Sequence, residues 1–167
     1  SQEFVDALRN VNDGASMLLG ATMDGLRASS LLKNLRTLHI RMKQHSANAM
    51  YLADQFEQLG LKTVYPGLKS HPSHEIFKTM MNKAYGFGGM LTIDIGSLEK
   101  ANELMELMQH KNLGYLAVSL GFYKTLFSAP GTSTSSEIPE DEQKAMGLSD
   151  GLIRFSSKSF QARALRT

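Results

Sequence analysis

The segment GLIRFS, residues 151–156, places a single cation in a short apolar run and decides the fold that we expect. Alternation along a strand sends Leu152 and Arg154 to one face and Ile153 and Phe155 to the other. One of these faces belongs in a hydrophobic core, so Arg154 is predicted to lie on a different surface. The segment therefore predicts a strand that is packed on one side and carries an arginine on the other.

The Arg154 guanidinium is a candidate binding group. Its planar set of N–H donors suits a carboxylate, which it can hold through two parallel hydrogen bonds. Each charge-assisted bond of this kind contributes about 1.5–3 kcal/mol. The residues alone leave an alternative open, in which an arginine on an edge strand pairs with a neighbouring acid.

Helices and strands alternate along the rest of the chain. Apolar residues recur at helical spacing over about residues 24–59, with a break expected near residues 29–30. Further helices are predicted at 73–86, 97–110 and 139–147. Strands are predicted at 61–66 and 88–95, and the run YLAVSL at 115–120 predicts a buried strand. This order predicts a small sheet with helices on one face, of the α/β or α+β class.

Composition bounds the functions that the chain can have. The 167 residues suit one domain of ordinary size, 42% of them are hydrophobic, and the net charge is +2. Nothing in this charge calls for nucleic acid or a membrane as partner. The absence of cysteine excludes disulfides, thiolate metal sites and a cysteine nucleophile. The first residues are not a secretion signal, and the start without methionine suggests a fragment.

Several polar residues are weaker candidates. Ser119 ends the predicted strand YLAVSL, where a hydroxyl or backbone group can contact a ligand, but GxSxG, the serine-nucleophile motif, is missing. The hydroxyl-rich stretch 132–136 is followed by an acidic helix, so we interpret it as a positioning loop and not a phosphate loop. His71 and His74 lack an evident third metal ligand, and no metal is predicted.

Three polar residues share one flank of the long helix. Arg41, His45 and Asn48 fall within about 60° of one another at 100° per residue. That flank borders the apolar stripe, which is consistent with a buried hydrogen-bonded cluster or a subunit contact. A partly exposed polar edge is equally consistent with the spacing.

Taken in order, five motifs resemble one enzyme family. They are LRTLHIRMKQHSANA, YPGLKSHPSH, YGFGGMLTIDI, YLAVSLG and GLIRFS, and the resemblance covers about residues 14–156. The chain is similar to the pyridoxal-phosphate enzymes of cysteine and methionine metabolism, the group of the cystathionine γ-lyases and γ-synthases. The stretch SLGFYKTLFSAPGTSTSSE is most similar to the methionine γ-lyase branch. The resemblance implies the small C-terminal domain of a fold-type I pyridoxal-phosphate enzyme, with a small mixed sheet.

The resemblance also implies roles for three residues. Arg154 matches the family residue that binds the substrate's α-carboxylate, and Ser119 matches one that lines the site beside it. Thr134 matches a threonine that borders the substrate pocket. The implied reaction is a γ-elimination on a sulfur amino acid that releases a thiol, and Arg154 is expected at the mouth of the pocket.

Two departures from the family limit what this chain is expected to do. None of its eleven lysines matches the lysine that forms the Schiff base with pyridoxal phosphate, so no cofactor-binding or catalytic residue is expected and the chain alone should be inactive. After residue 156 the family continues with an acidic turn and a long amphipathic helix, which residues 157–167 do not match. The expected division is therefore 1–30 as the end of the cofactor domain with a linker, 31–156 as the small domain, and 157–167 as an atypical tail.

The expected setting is a cytoplasmic homotetramer, with the chain either in a homo-oligomer or associated with full-length subunits. An alternative of another class is a truncated isoform without catalytic activity, which acts as an interaction domain for the full-length subunit. On that alternative, the polar flank of the long helix matters more than Arg154.

Overall fold

A computed structural model describes residues 1–9, 23–133, 135 and 137–158. The chain divides into two compact units, residues 1–38 and 39–167. Its elements are, in chain order, α1 (Gln2–Arg9), α2 (Gly25–Leu35), α3 (Leu38–Gln58), β1 (Lys62–Val64), α4 (His74–Met80), β2 (Met90–Asp94), α5 (Leu98–His110), β3 (Tyr115–Leu116), β4 (Leu126–Ser128), a 3-10 turn (Pro130–Thr132), α6 (Glu140–Ala145) and β5 (Leu152–Ser156). Within the described residues, no helix is long and apolar enough to cross a bilayer.

The long helical segment is interrupted, but the predicted position of the break at residues 29–30 is wrong. Those serines lie inside α2, and the chain turns at Arg36 and Thr37 before α3 begins. The Thr37 hydroxyl donates to the Asn34 carbonyl at 3.4 Å, a local bond that competes with continued helix. The exposed serines at positions 29 and 30 do not interrupt α2. Gly60, just after α3, has φ of +77°, the left-handed conformation in which many helices end.

The five strands form one mixed sheet in the order β1-β2-β5-β4-β3. All neighbours are antiparallel except β3 and β4, which are parallel. The strand GLIRFS is therefore central, with β2 on one side and β4 on the other. This arrangement confirms the predicted small mixed sheet of an α/β chain.

The core lies on one side of this sheet, which we call the helix face. The strands contribute Leu91, Ile93, Phe127, Ile153 and Phe155 to this core. They share one cluster with Ala49 and Ala53 of α3 and with Ala101 and Met105 of α5. Phe155 is at its centre, with ring centroids 5.5 Å from Phe56 of α3 and 6.1 Å from Phe127 of β4. The predicted packing of helices on one face is confirmed, and alternation sends Arg154 to the opposite face.

The prediction of a buried strand at 115–120 is wrong. Only Tyr115 and Leu116 are extended in the sheet, and both are exposed. They form an edge strand with a single neighbour, and the chain leaves the sheet after Ala117, whose N–H donates to Phe127. The sequence also did not reveal β4, because three residues are too short to show alternation.

Gly151 is packed directly against backbone, which yields a stability prediction. A Cβ at this position would clash with Gly96 N and lie 2.6 Å from Ser97 N. We expect Gly151→Ala to lower the free energy of unfolding by about 1–3 kcal/mol, because backbone atoms at the start of α5 cannot move aside as a flexible side chain can. Gly25→Ala is the control, since nothing lies within 4 Å of its Cβ position. Urea unfolding of the two variants measures the difference, and equal stability would contradict the packing described.

Asp94 yields a prediction for the pH dependence of stability. Its carboxylate accepts a hydrogen bond from Gly96 N at 2.9 Å, and this bond, with a smaller contribution from Lys62, holds the pKa of Asp94 below its usual value. A depressed pKa means that the charged form favours the folded state. The stabilisation is thus present above the unfolded pKa, about 3.9, and is lost as the pH falls through the lower folded-state pKa.

We therefore expect Asp94→Asn to destabilise the chain at neutral pH, with a deficit that shrinks as the medium becomes more acidic than about pH 4. Urea unfolding at a series of pH values measures the deficit. A deficit that stays constant with pH would show that the charge of Asp94 contributes nothing.

Candidate functional site

The register of the sheet places Arg154 in a row of polar side chains on the side opposite the helix face. Arg154 pairs with Thr92 of β2 and with Ser128 of β4, so these three side chains point to the same side. We call this side the arginine face. No side chain in the row carries an acidic group, and Arg154 is its one cation.

The Arg154 side chain is half-buried and is held by backbone carbonyls. Its Nη2 donates to Val118 O at 3.0 Å and contacts Ser119 O at 3.5 Å. None of the ion pairs found among the described residues includes Arg154. The alternative of an edge-strand arginine paired with an acid is therefore wrong, because β5 is the central strand and the partners of Arg154 are carbonyls.

Ser119 lies close to Arg154, but not where the sequence predicted it. It is exposed, in the segment that follows β3, and does not end a buried strand. The next residues turn at Gly121, where φ is +72°, and Gly121 N donates to the Ser156 hydroxyl at 3.0 Å. Two links therefore tie this segment to β5, one through Arg154 and one through Ser156.

Thr134, the third predicted site residue, lies outside the described residues. Its neighbours show how the hydroxyl-rich stretch is used. The hydroxyls of Ser133 and Thr132 donate to Ala129 O at 2.6 and 3.4 Å. Because these hydroxyls satisfy the loop's own backbone, the local structure agrees with the interpretation as a positioning loop.

Ser128 is a polar residue of the arginine face that sequence reasoning missed. It is 1% exposed, and within the described part of the chain its hydroxyl has no hydrogen-bond partner. Leaving a buried hydroxyl unpaired costs about 1–3 kcal/mol. Only the cross-strand register, which the sequence does not show, brings this residue beside Arg154.

The expected pocket at Arg154 is not formed by the two cavities found here. A cavity of about 680 Å³ lies between the start of α5, the loop near residue 130 and α6, and another of about 560 Å³ lies among α3, the end of α5 and Phe155. Among the described lining residues, neither cavity includes Arg154 or Ser119. The pocket expected at Arg154 therefore stays a prediction, and in this chain the carbonyls of Val118 and Ser119 lie against the guanidinium.

The histidines of the loop HPSH are used structurally. His71 Nδ1 accepts from Ser73 N at 3.1 Å, while His74 Nδ1 lies 2.8 Å from Pro66 O and its ring stacks on Phe87. Across the described ranges, no group of three or more metal-ligating side chains comes together.

Two of the three residues on the polar flank of α3, His45 and Asn48, form a buried hydrogen-bonded cluster. His45 and Asn48 are 3% and 4% exposed. His45 Nδ1 bonds to Ser157 O, and Asn48 Nδ2 donates to Lys158 O at 2.7 Å. Arg41, one turn earlier, is half-buried. The cluster therefore binds the backbone that leaves β5.

The arginine face fits a carboxylate but does not fit pyridoxal phosphate. Lys62 is the single lysine that the strands contribute to this face, and its Nζ lies 3.4 Å from Asp94. It is two strands away from Arg154. No lysine of the described sheet is thus placed to bond the cofactor beside the guanidinium, and we derive no step that passes through the cofactor.

Comparison with known sequences identifies the family. A family model described as Cys/Met metabolism PLP-dependent enzyme matches residues 3–157. Methionine gamma-lyase of Arabidopsis thaliana is 44% identical over 157 residues, which are 93% of this chain and 36% of that protein. Cystathionine gamma-lyase of Dictyostelium discoideum is 36% identical over 141 residues, 83% of this chain and 35% of that protein.

Solved structures show the same fold. A cystathionine gamma synthase from Xanthomonas oryzae, solved with aminoacrylate and cysteine, matches with a TM-score of 0.77 and 30% identity, covering 90% of this chain and 38% of its own. A protein assigned as an O-acetylhomoserine (thiol)-lyase from Campylobacter jejuni, solved with a pyridoxyl-lysine phosphate, matches with a TM-score of 0.79 and 30% identity, covering 88% and 34%. The chain spans about a third of the length of these relatives. Since the family model covers nearly all of it, this chain belongs to the pyridoxal-phosphate-dependent enzymes of cysteine and methionine metabolism.

Proposed function

We propose that this chain supplies the α-carboxylate site of a pyridoxal-phosphate-dependent carbon–sulfur lyase that acts on methionine or a closely related sulfur amino acid. The 44% identity to a methionine gamma-lyase over nearly the whole chain supports the substrate class. Residues 31–156 act as the small domain, and 1–30 belong to the end of the cofactor domain and its linker.

The observation that carries this proposal is a cation in the middle of a sheet that forms no ion pair within the described ranges. The Arg154 guanidinium has five N–H donors, and the bonds described here use only Nη2. The neighbouring Thr92 and Ser128 are neutral. A substrate carboxylate would supply the missing negative charge and accept two parallel hydrogen bonds.

Val118 and Ser119 cover the Arg154 guanidinium, and this arrangement is consistent with the binding of a carboxylate. Carbonyl oxygens stabilise the guanidinium when no carboxylate is present, and a carboxylate is a stronger acceptor than a carbonyl. Binding would thus replace neutral acceptors with a charged one. Ser119 and Thr134 border the substrate in this proposal.

The cofactor acts as an electron sink when it is bound, which is the chemistry that the thiol elimination requires. In our proposal its covalent anchor comes from polypeptide other than this chain, so the chain alone releases no thiol from methionine. The complete enzyme is proposed to be a cytoplasmic homotetramer. Exposed apolar side chains such as Val118, Leu120 and Phe122, beside the proposed site, support association with further polypeptide.

Substitution of Arg154 tests the proposal in a chimera. Residues 1–158 replace the aligned segment of the Arabidopsis thaliana relative, and the release of thiol from L-methionine is followed. Loss of two charge-assisted hydrogen bonds predicts that Arg154→Ala lowers kcat/KM by about 10²–10⁴-fold, with a smaller loss for Arg154→Lys, which keeps the charge but not the fork.

Arg27→Ala is the matched control, because this exposed arginine pairs with Asp24, the N-cap residue of α2, and its loss should leave kcat/KM unchanged. An Arg154→Ala chimera whose kcat/KM stays within twofold of the parent would contradict the carboxylate role. A folded, cofactor-loaded parent chimera that releases no thiol from methionine would contradict the substrate class.

A further inference from the structure

We propose that His45 and Asn48 of α3 are positioning residues that fix Arg154 for its carboxylate. This inference rests on the proposed function and assigns a role to the polar flank of the long helix. Neither residue touches Arg154, and they act through the backbone at the end of β5.

Reciprocal hydrogen bonds join α3 to residue 157. His45 Nδ1 bonds to Ser157 O, and because a carbonyl only accepts, the ring must carry its proton on Nδ1. In return the Ser157 hydroxyl donates to His45 O at 2.8 Å. His45 and Ser157 are both nearly inaccessible to solvent, at 3% and 0% exposed, so water cannot replace these bonds without opening the core.

Asn48, one turn further along α3, binds the next residue. Its Nδ2 donates to Lys158 O at 2.7 Å, and its Oδ1 accepts from Gln44 Nε2 at 2.9 Å. Residues three apart on a helix face the same way, so His45 and Asn48 bind two consecutive carbonyls of one extended segment. We call this pair with residues 157 and 158 the clasp.

Close packing leaves the clasp little room to move. Ser157 N donates to Gly89 O at 2.8 Å, which continues the pairing of β5 with β2. A Cβ on Gly89 would lie 3.0 Å from His45 Cβ and 3.3 Å from the Ser157 hydroxyl. The imidazole, the serine and the glycine backbone therefore fill one layer between α3 and the sheet.

The clasp is linked to both sides of the Arg154 site. Upstream on β5, Ser156 holds the segment after β3 through Gly121, and Arg154 binds that same segment at Val118. Downstream, Lys158 N donates to the Thr125 hydroxyl at 3.2 Å, just before β4. A change at residues 157–158 would thus reach Arg154 through β5 and reach its carbonyl partners through Gly121.

Position along β5 matters because strand residues alternate between faces. A slip by one residue would turn Arg154 into the helix face, and a smaller displacement would misdirect its planar donors. The clasp holds the chain at residue 157, three residues beyond Arg154. It therefore restricts both the slip by one residue and the smaller displacement. The function of the clasp is therefore to hold the donor plane in the orientation that a carboxylate requires.

A double-mutant cycle in the chimera described above tests this inference. The variants are His45→Ala, Arg154→Ala and the double variant, with Lys43→Ala as an exposed control on the same helix. We expect His45→Ala to raise KM for L-methionine at least fivefold with a smaller change in kcat. His45→Asn, which can place an amide N–H near the Nδ1 position, should restore KM to within about twofold.

The cycle separates positioning from general stability. If His45 acts through Arg154, its substitution should have no further effect on KM when Arg154 is already alanine. Additive effects, or an unchanged KM in folded His45→Ala, would overturn the inference.

If His45→Ala does not fold, Asn48→Ala keeps both His45 bonds and takes its place in the cycle with the same expected and contrary results. Failure of the proposed function can be distinguished from failure of this inference, because Arg154→Ala alone would leave KM unchanged if the proposed function were wrong.

Discussion

The hydrogen bond from Arg154 to the Val118 carbonyl is the interaction on which the proposed site depends. It places a permanent positive charge beside neutral acceptors in the centre of a five-stranded sheet. No described acidic side chain pairs with this half-buried cation, and an apolar residue could occupy the strand at lower desolvation cost. Its position is explained if a ligand provides the negative charge.

The rest of the domain keeps this cation in place. Packing of α3 and α5 against the helix face commits one side of every central strand to the core, so alternation sends Arg154 to the other side. Pairing of β5 with both β2 and β4 fixes its register, and the clasp from α3 holds the strand where it ends. Core, register and clasp thus determine the direction of a single guanidinium.

The sequence predicted elements whose local pattern matches their environment. Burial alternates along β2 within the predicted strand 88–95 because one face of β2 is covered by the core. Within the predicted strand 151–156, Arg154 is the one residue of β5 that is not fully buried. The prediction of a buried strand for the run YLAVSL was wrong because apolar composition does not reveal whether a residue is covered by the rest of the chain. Val118 and Leu120 are 58% and 63% exposed in this chain.

The candidate site was predictable only in part, for a related reason. Arg154 stands out as a lone cation in an apolar strand, and a motif shared with the family pointed to Ser119. Ser128 gave no such signal, because its place beside Arg154 follows from long-range strand pairing and not from neighbouring residues. Likewise, helical spacing grouped His45 with Asn48, but their partners more than a hundred positions away are visible only in three dimensions.

The most direct test is a crystal structure of the chimera with bound norleucine, which has the shape of methionine but no sulfur to expel. The measurement is the set of distances between the Arg154 guanidinium nitrogens and the ligand's carboxylate oxygens. Two parallel N–H···O contacts of about 2.7–2.9 Å are predicted. A carboxylate bound elsewhere, with the guanidinium still on the Val118 carbonyl, would contradict the central claim.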